Sequence, residues 1–192
     1  MSAKTDLATA FIETRSFKWD KDKGFKLSSG ATSPIYVDCR VLMAHPGPRA
    51  LVAQLAFDAL KDLPADCSGG LELGAISIAT AISDQAHRNR KDWRTFVVRK
   101  QAKDHGTGKL IEGAATTGDR AVVVDDVLTS GGSVIKAVQA ARDAGLKVTH
   151  ALVIVDRQEQ DGRKKVEELG ITLISLLTVK DLMIASGVRG TI

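Results

Sequence analysis

The stretch AVVVDDVLTSGGS, residues Ala121–Ser133, constrains the fold more than any other part of the sequence. Its first four residues are apolar and mostly β-branched, which predicts a short strand, Ala121–Val124, buried on both faces. Such strands are typical of open parallel sheets, in which ligands bind at the carboxyl ends of the strands. Because Asp125 and Asp126 follow the apolar run directly, we predict that both carboxylates stand at a ligand-binding edge.

A turn of small residues follows the carboxylates. Residues Thr129–Ser133 carry hydroxyl groups and little bulk, and the spacing of Val134, Val138 and Ala141 predicts a helix that ends at Gly145. Backbone N–H groups at a helix start can bind a phosphate. Two carboxylates would repel a bare phosphate, so the pattern favours a ligand with phosphate at one end and hydroxyls or a metal at the other, such as a phosphorylated sugar. The alternative is a strand that ends in a polar turn without a ligand.

The whole segment resembles the phosphoribosyl pyrophosphate motif of type I phosphoribosyltransferases: a hydrophobic strand, an acidic pair and a Thr/Ser/Gly phosphate loop. It lacks the Lys of a Walker loop, and GxGxxG does not occur in the chain. The resemblance implies that the segment binds 5-phosphoribosyl 1-pyrophosphate (PRPP). The PRPP-binding residues that it implies here are Asp125, Asp126, Val127, Leu128, Thr129, Ser130, Gly131, Gly132 and Ser133.

A second motif lies nearer the N-terminus, within residues 16–40. Phe25 and Leu27 alternate with polar residues, a Ser/Gly/Pro turn follows, and Ile35–Val37 is again extended, which predicts a β-hairpin. Without further information, such a hairpin is a small β cap over the core. Its pattern, FKLxSGxxSPxYxDxR, resembles the N-terminal hood of orotate phosphoribosyltransferases, where the Lys and the backbone after the Pro contact the base. The resemblance implies orotate-binding roles for Lys26, Ile35 and Tyr36.

A basic, glycine-rich segment, residues 99–109, follows a predicted strand at Arg94–Val98. The sequence RKQAKDHGTGK is too polar to pack in a core, and most segments of this kind are solvated connections. It matches RKxxKxHGxG, the signature of the flexible catalytic loop of orotate phosphoribosyltransferases. Cations on a mobile segment can close over a pyrophosphate and exclude water. The resemblance implies PRPP contacts from Arg99, Lys100, Lys103 and His105, and catalytic roles for Lys103, His105, Asp125 and Asp126.

One arginine follows the predicted strand Val148–Val155. An arginine at a strand end is usually a surface ion-pair partner. This strand, however, comes after the phosphate-loop helix, so a right-handed crossover would bring its carboxyl end near Asp125 and Asp126. The segment DRQ also resembles the family segment whose Arg holds the orotate carboxylate, a task that suits a bidentate guanidinium. The resemblance implies orotate contacts from Arg157 and Thr129.

The junction Gly69–Gly74 departs from the family pattern. It joins a predicted strand, Cys67–Leu73, to a predicted helix, Gly74–Arg88, at the place of the family's pyrophosphate loop. Leu73 stands where many orotate enzymes have a Lys. The substitution removes a side-chain cation and leaves backbone N–H groups to contact pyrophosphate.

The strands and helices alternate from Cys67 onward, which predicts an α/β fold with a central, mostly parallel sheet flanked by helices. Helices are also predicted over Lys4–Thr14 and Pro46–Leu60. The resemblance implies the type I phosphoribosyltransferase fold with an N-terminal β hood at about residues 16–40. At 192 residues the chain suits one domain, residues 1–192.

Composition excludes several classes of protein. Lys plus Arg exceed Asp plus Glu by only 27 to 23, too little to indicate nucleic-acid binding. Cys39 and Cys67 have no metal-ligand spacing and suggest no disulfide framework. The N-terminus has no apolar signal core, and no apolar run reaches the ~18 residues of a membrane span. We therefore expect a cytoplasmic protein without membrane or nucleic-acid partners.

The resemblance implies a reaction in which orotate and PRPP give orotidine 5′-phosphate and pyrophosphate, a step of pyrimidine synthesis. It also implies Mg²⁺, held by substrate oxygens rather than by dedicated protein ligands, and a homodimer with shared active sites. Two alternatives stay open. A purine phosphoribosyltransferase would share Ala121–Ser133 but would not need Lys26 or Arg157. A regulatory RNA-binding protein of this fold would show a basic face with stacking aromatics, and aromatic residues are only 4% of the chain.

Overall fold

The computed structural model describes residues 2–26, 32–101 and 110–188. Helices and strands alternate through most of these ranges. In chain order they are α1 (Ala3–Glu13), β1 (Phe17–Trp19), β2 (Phe25–Lys26), β3 (Thr32–Ser33), β4 (Ile35–Val37), α2 (Cys39–Ala44), α3 (Pro46–Leu60), β5 (Cys67–Leu71), α4 (Gly74–Arg88), β6 (Arg94–Val98), β7 (Ile111–Gly113), β8 (Arg120–Leu128), α5 (Gly132–Asp143), β9 (Lys147–Asp156), α6 (Gly162–Glu167), β10 (Thr172–Thr178) and α7 (Val179–Ala185).

A six-stranded sheet organises the described residues, in the order β10-β9-β8-β5-β6-β7. Every neighbouring pair is parallel except β6 and β7, which are antiparallel. The prediction of an α/β fold with a mostly parallel sheet is confirmed. The short edge strand β7 was not predicted, because its three residues, Ile-Glu-Gly, carry no periodic pattern.

Strand β8 is covered on both faces, as its apolar run predicts. Val122 and Val124 join one core with residues of α1 to α4 and α7. Ala121 and Val123 face the other way and join a second core with residues of α5 and α6. Since successive side chains of a strand alternate, Asp125 continues the α5 face and Asp126 the α4 face.

The acidic pair lies within β8 rather than after it, which corrects the predicted end of the strand at Val124. The reason is the neighbouring strand β9, which extends to Asp156. Parallel pairing continues along both strands until Leu128 stands opposite Asp156, so the backbone stays extended through the carboxylates. The strand predicted over Cys67–Leu73 ends earlier, at Leu71.

The N-terminal hood contains two antiparallel pairs instead of one hairpin. Strand β2 pairs with β3, and Phe25 stands opposite Ser33. The predicted return strand, β4, pairs with β1, an element that the sequence did not indicate, so the predicted single hairpin is wrong in its pairing. Pro34 separates β3 from β4 because a proline has no N–H to donate to a ladder. Leu27 lies outside the described residues.

The helices largely follow their sequence signals. The bounds of α3 and α4 are those predicted, and α1 spans Ala3–Glu13 against a predicted Lys4–Thr14. Helix α2 was not predicted. Asp38 begins it by accepting a hydrogen bond from the Arg40 N–H at 3.1 Å. Within the described ranges, no helix is both long and apolar enough to cross a membrane.

This arrangement brings several strand ends together. The carboxyl ends of β5, β8 and β9 lie at one edge of the sheet, because these strands are parallel neighbours. Helices α4 and α5 begin at the same edge, directly after β5 and β8. Functional side chains are therefore expected at this edge.

Candidate active site

A cavity of about 570 Å³ opens at this edge and brings residues of the hood and the sheet together. Basic and acidic side chains both line it. Its lining residues are Lys26, Tyr36, Val37, Asp38, Arg40, Leu71, Glu72, Leu73, Gly74, Lys100, Asp125, Asp126, Val127, Thr129, Ser130, Ser133, Arg157 and Gln160.

Most of the site residues predicted from the sequence lie in or beside this cavity. Ile35 and Leu128 are buried and do not line it, and neither do the loop glycines Gly131 and Gly132. Arg99 does not line it either. Its Nη1 lies 3.8 Å from Glu112 on β7, and its Nε donates to the Gln101 carbonyl at 3.2 Å. The predicted catalytic residues Lys103 and His105 lie outside the described residues. The predicted residues that line the cavity are Lys26, Tyr36, Lys100, Asp125, Asp126, Val127, Thr129, Ser130, Ser133 and Arg157.

The two carboxylates near the end of β8 are largely removed from solvent, and Asp125 is only 6% exposed. Burial, together with the neighbouring charge of Asp126, raises the pKa of Asp125 from 3.8 to about 8. Burial also raises the pKa of Asp126. The backbone N–H of Asp126 donates to Asp125 Oδ1 at 3.0 Å, and that of Val127 donates to Asp126 Oδ1 at 2.8 Å. The pair therefore retains a proton near neutral pH in the free protein.

Gly74 and Cys39 lie against Asp126. Gly74, the first residue of α4, approaches so closely that an added Cβ would lie 2.9 Å from Cγ of Asp126. The Cys39 thiol donates to the Asp126 carbonyl at 3.8 Å. Burial raises the pKa of Cys39 well above its ordinary value, so the group stays a neutral thiol. The position of the carboxylate thus depends on the absence of a side chain at Gly74.

The loop after β8 leads into the start of α5, a place where backbone N–H groups can bind an anion. Gly131 has φ 82°, a left-handed conformation, and an added Cβ would lie 2.9 Å from the Gly162 carbonyl. Helix α5 begins at Gly132 and has no acidic residue in its first turn. Thr129, Ser130 and Ser133, which carry hydroxyl groups, line the cavity beside the start of this helix, a combination that suits a phosphate.

Arg157 supplies a buried cation to the same cavity. Its backbone N–H donates to the Leu128 carbonyl at 3.0 Å, which ties it to the end of β8. Its Nη2 donates to Ser33 Oγ at 2.8 Å and to Glu159 Oε1 at 2.9 Å. The side chain is only 4% exposed, so its position is set by these partners.

Glu72, Asp38 and Arg40 also line the cavity, although no role was predicted for them from the sequence. Glu72 accepts a hydrogen bond from the Lys100 N–H at 2.8 Å and thereby holds the start of the basic segment near α4. Leu73 is 68% exposed and offers no cation. Arg40 does line the cavity, and Asp38 holds its guanidinium through contacts of 3.1 and 3.2 Å. The alternation of Tyr36, Asp38 and Arg40 could have signalled two of these residues.

The described residues contain no group of three or more His, Cys, Asp or Glu side chains able to hold a metal ion. Asp125 and Asp126 are therefore too few to form a complete protein cage. Mg²⁺ commonly uses one or two carboxylates together with water and substrate phosphates. The carboxylate pair fits a metal that a phosphorylated ligand brings with it.

Comparisons with known proteins agree with this geometry. A family model described as the phosphoribosyl transferase domain matches residues 69–179. The orotate phosphoribosyltransferase of Aquifex aeolicus is 40% identical over 172 residues, 90% of this chain and 93% of the relative. That of Pyrococcus abyssi is 38% identical over 187 residues, 96% of this chain and 98% of the relative. The crystal structure of the Mycobacterium tuberculosis enzyme with PRPP is 33% identical, with a TM-score of 0.77 over 94% of this chain and 99% of that one.

We predict that Asp125→Asn stabilises the free protein increasingly as pH rises. The folded-state pKa of Asp125 is about 8, above its ordinary 3.8, so the wild type loses stability as pH rises between these values. The variant has no such charge. From pH 4 to pH 8 the difference in unfolding free energy should grow by about 1–3 kcal/mol, several degrees in Tm.

Melting curves at a series of pH values test this prediction. Asp143→Asn, at an exposed residue that ends α5, is the matched control, and its Tm should differ from that of the wild type by the same amount at every pH. The prediction is contradicted if the difference in Tm between Asp125→Asn and the wild type does not change with pH.

Proposed function

The chain belongs to the phosphoribosyltransferase family, and within it to the orotate phosphoribosyltransferases; from this premise we propose that it transfers the phosphoribosyl group of PRPP to orotate. The products are orotidine 5′-phosphate and pyrophosphate. The ribose C1 bond to pyrophosphate breaks as a bond from C1 to the base nitrogen forms, and the proton of that nitrogen is released. The proposal also covers the roles of individual residues, given below.

The observation that carries the proposal is that three kinds of group line one cavity. They are the hydroxyl residues of the loop before α5, the acidic pair Asp125 and Asp126, and buried Arg157. These groups match a ligand pair with a phosphate, a ribose and an anionic base. Each end of the reacting pair thus has a partner of opposite charge.

The phosphate end uses the loop after β8. Thr129, Ser130 and Ser133 contribute hydroxyl groups, and Gly131 allows the tight turn that exposes the backbone N–H groups of α5. We assign the 5′-phosphate of PRPP to this loop. Its role is to anchor the sugar, so that C1 faces the base in a fixed orientation.

The ribose end uses the acidic pair. Asp125 and Asp126 would accept hydrogen bonds from the ribose hydroxyls. Displacement at C1 develops positive charge on the sugar, and a preformed carboxylate close by stabilises that charge more in the transition state than in the ground state. Because Gly74 and the Cys39 thiol hold Asp126, little rearrangement is needed during the reaction.

The base end uses Arg157 and the hood. The guanidinium would bind the carboxylate of orotate, and Lys26 and Tyr36, which line the same cavity, would orient the ring. Ile35 takes part through its backbone, since its side chain is buried. The hood and the sheet contribute to one base site, because Arg157 donates to Ser33 in the hood.

We assign the leaving pyrophosphate to Arg99, Lys100, Lys103 and His105. Only Lys100 among them lines the cavity within the described residues, so the other three assignments rest on the RKxxKxHGxG pattern. The family uses a metal ion in PRPP binding, and we propose Mg²⁺. Bound through substrate oxygens, it would neutralise pyrophosphate.

Two other functions fit the observations less well. A purine phosphoribosyltransferase has the same fold: the adenine enzyme of Leishmania donovani has a TM-score of 0.64 at 14% identity, a likeness of fold alone. Buried Arg157 favours an anionic base over a purine. An RNA-binding role is opposed by a cavity in which the basic residues are balanced by Asp38, Glu72 and the acidic pair.

We also propose a homodimer with shared sites, a single domain over residues 1–192 and a cytoplasmic location. Support for shared sites comes from the pattern of the basic segment, whose counterpart in the family reaches the neighbouring subunit. The small molecules orotate and PRPP are the proposed partners. No nucleic-acid or membrane partner is proposed.

The direct experiment measures loss of orotate absorbance on addition of PRPP and Mg²⁺. Turnover is expected with orotate, and uracil, which lacks the carboxylate, should be a poor substrate.

Arg157→Ala should lower kcat/KM for orotate by an amount that corresponds to a loss of about 2–5 kcal/mol of transition-state stabilisation, because a buried charged contact is lost. Arg88→Ala, at an exposed residue of α4, is the control and should leave kcat/KM unchanged. If the wild type has equal kcat/KM values for uracil and orotate, the assignment of Arg157 to the orotate carboxylate is wrong.

Gly74→Ala tests the placement of the acidic pair. An added Cβ would lie 2.9 Å from Cγ of Asp126, so the carboxylate must shift, and kcat/KM for PRPP should fall at least about tenfold. Gly47→Ala is the matched control, because an added Cβ in α3 meets nothing within 4 Å. If both variants have wild-type kinetics, the position of Asp126 does not matter for the reaction.

Complementation tests shared sites. Lys103→Ala and the double variant Asp125→Asn/Asp126→Asn should each be inactive alone. After subunit exchange, half of the dimers are mixed and each has one intact site of two, so activity should return to about a quarter of wild type. A mixture of Lys103→Ala with His105→Ala is the control and should stay inactive, since both changes lie on one loop. Absence of recovery despite demonstrated exchange would mean that each subunit completes its own site.

A further inference from the structure

Arg157 has an ion-pair partner that the proposed reaction does not use. Nη2 of Arg157 lies 2.9 Å from Oε1 of Glu159, and the two side chains are 4% and 21% exposed. Within residues 2–26, 32–101 and 110–188, Glu159 is the one acidic side chain paired with this guanidinium. A buried cation is costly without a counter-ion. Glu159 therefore neutralises Arg157 in the free protein.

The donors of Arg157 are unevenly occupied. Nη2 donates to Ser33 Oγ and Glu159 Oε1, which uses both of its hydrogens. Nη1 approaches the Ile35 carbonyl at 3.5 Å, and buried Nε has no acceptor among the described residues. A planar carboxylate can bind a guanidinium side-on, through two parallel hydrogen bonds from Nε and Nη2. Of these two donors, Nε has no acceptor and Nη2 already donates to Ser33 and Glu159.

The two acceptors on Nη2 differ in their freedom to leave. Ser33 is 6% exposed, and its Oγ also accepts from the Ile35 N–H at 3.1 Å, so the hood backbone holds it. Glu159 is partly exposed and lies between β9 and α6, where Gln158 and Gln160 have positive φ. A side chain with two methylenes on such a turn can rotate into solvent. Glu159 is therefore the acceptor that an incoming anion displaces.

We propose that Glu159 is a specificity-determining residue: it occupies Arg157 in the free protein, and the carboxylate of the base displaces it on binding. The inference deepens the base site of the proposed function and rests on it. Exchange of one carboxylate for another keeps the buried guanidinium paired throughout binding. A neutral base has no anion to exchange. It either leaves Glu159 in place or separates the guanidinium from its counter-ion, and both outcomes disfavour it.

If Glu159 has this role, removing its charge changes the affinity for a carboxylated base in the opposite direction from the change expected if Glu159 only orients Arg157. If Glu159 only orients the guanidinium, then removing its charge weakens the binding of a carboxylated base. If Glu159 competes with the base for Nη2, then removing its charge strengthens that binding. Glu159→Gln has nearly the same shape, can still accept a hydrogen bond and loses only the charge, so it separates the two cases.

The test compares Glu159→Gln with the wild type by steady-state kinetics, with orotate and PRPP each varied in turn while the other and Mg²⁺ are saturating. We expect the KM for orotate to fall about three- to tenfold, while kcat and the KM for PRPP change less than about twofold. Glu167→Gln is the matched control. Glu167 pairs with Arg163 at 3.1 Å on α6, and its replacement should leave all three constants unchanged.

Melting curves add a second measurement. Free Glu159→Gln should melt below the wild type, because Arg157 loses its counter-ion, and orotate should raise its Tm by more than it raises that of the wild type. A KM for orotate that is unchanged or higher in the variant, with normal wild-type turnover, overturns the inference and leaves the proposed function intact. Failure of the wild type to consume orotate rejects the function instead. In that case, an unchanged shift of Tm by orotate in the variant rejects the inference as well.

Discussion

The burial of two adjacent carboxylates near the end of β8 is the constraint on which the rest of the site depends. A sheet covered on both faces removes Asp125 and Asp126 from most of the solvent, and their proximity makes simultaneous ionisation costly. Neighbouring structure is shaped around them. Helix α4 begins with a glycine because a side chain there would strike Asp126, and the backbone of β8 itself supplies hydrogen bonds to both carboxylates.

A balance of charge at the cavity explains how such a site can exist without ligand. Two cations that line the cavity have an acidic neighbour: Asp38 holds Arg40, and Glu159 holds Arg157. In the proposed base site, a carboxylated substrate replaces the Glu159 contact to Arg157. Selectivity for an anionic base would follow, because only a ligand with an anion at that position restores the pairing that it breaks.

The parts of the site that are contiguous in sequence were predictable, whereas contacts between side chains of separate elements were not. The acidic pair and the Thr129–Ser133 loop lie on one strand and turn, so strand and helix signals located them together. The position of Arg157 near the acidic pair was predicted from the right-handed crossover between the strands that carry them. By contrast, Glu72 and Glu159 take their roles from partners in space, Lys100 and Arg157, and no periodic pattern indicates such pairs. The pairing of β1 with β4 also escaped prediction, because three-residue strands carry too little alternation to indicate a partner. The end of β8 was predicted too early, at Val124, because the length of the neighbouring strand β9 decides where β8 ends, and local sequence does not.

The central claim is that the acidic pair of the free protein retains a proton near neutral pH. Carbon-13 NMR of protein labelled at the aspartate carboxyl groups measures this directly, with Asp125→Asn used to assign the signals of the pair. The account predicts that one carboxyl of the pair stays protonated at pH 6 and titrates near pH 8, as the raised pKa of Asp125 requires. If both carboxyls are fully ionised below about pH 5, as unperturbed aspartates are, the account of this site is contradicted.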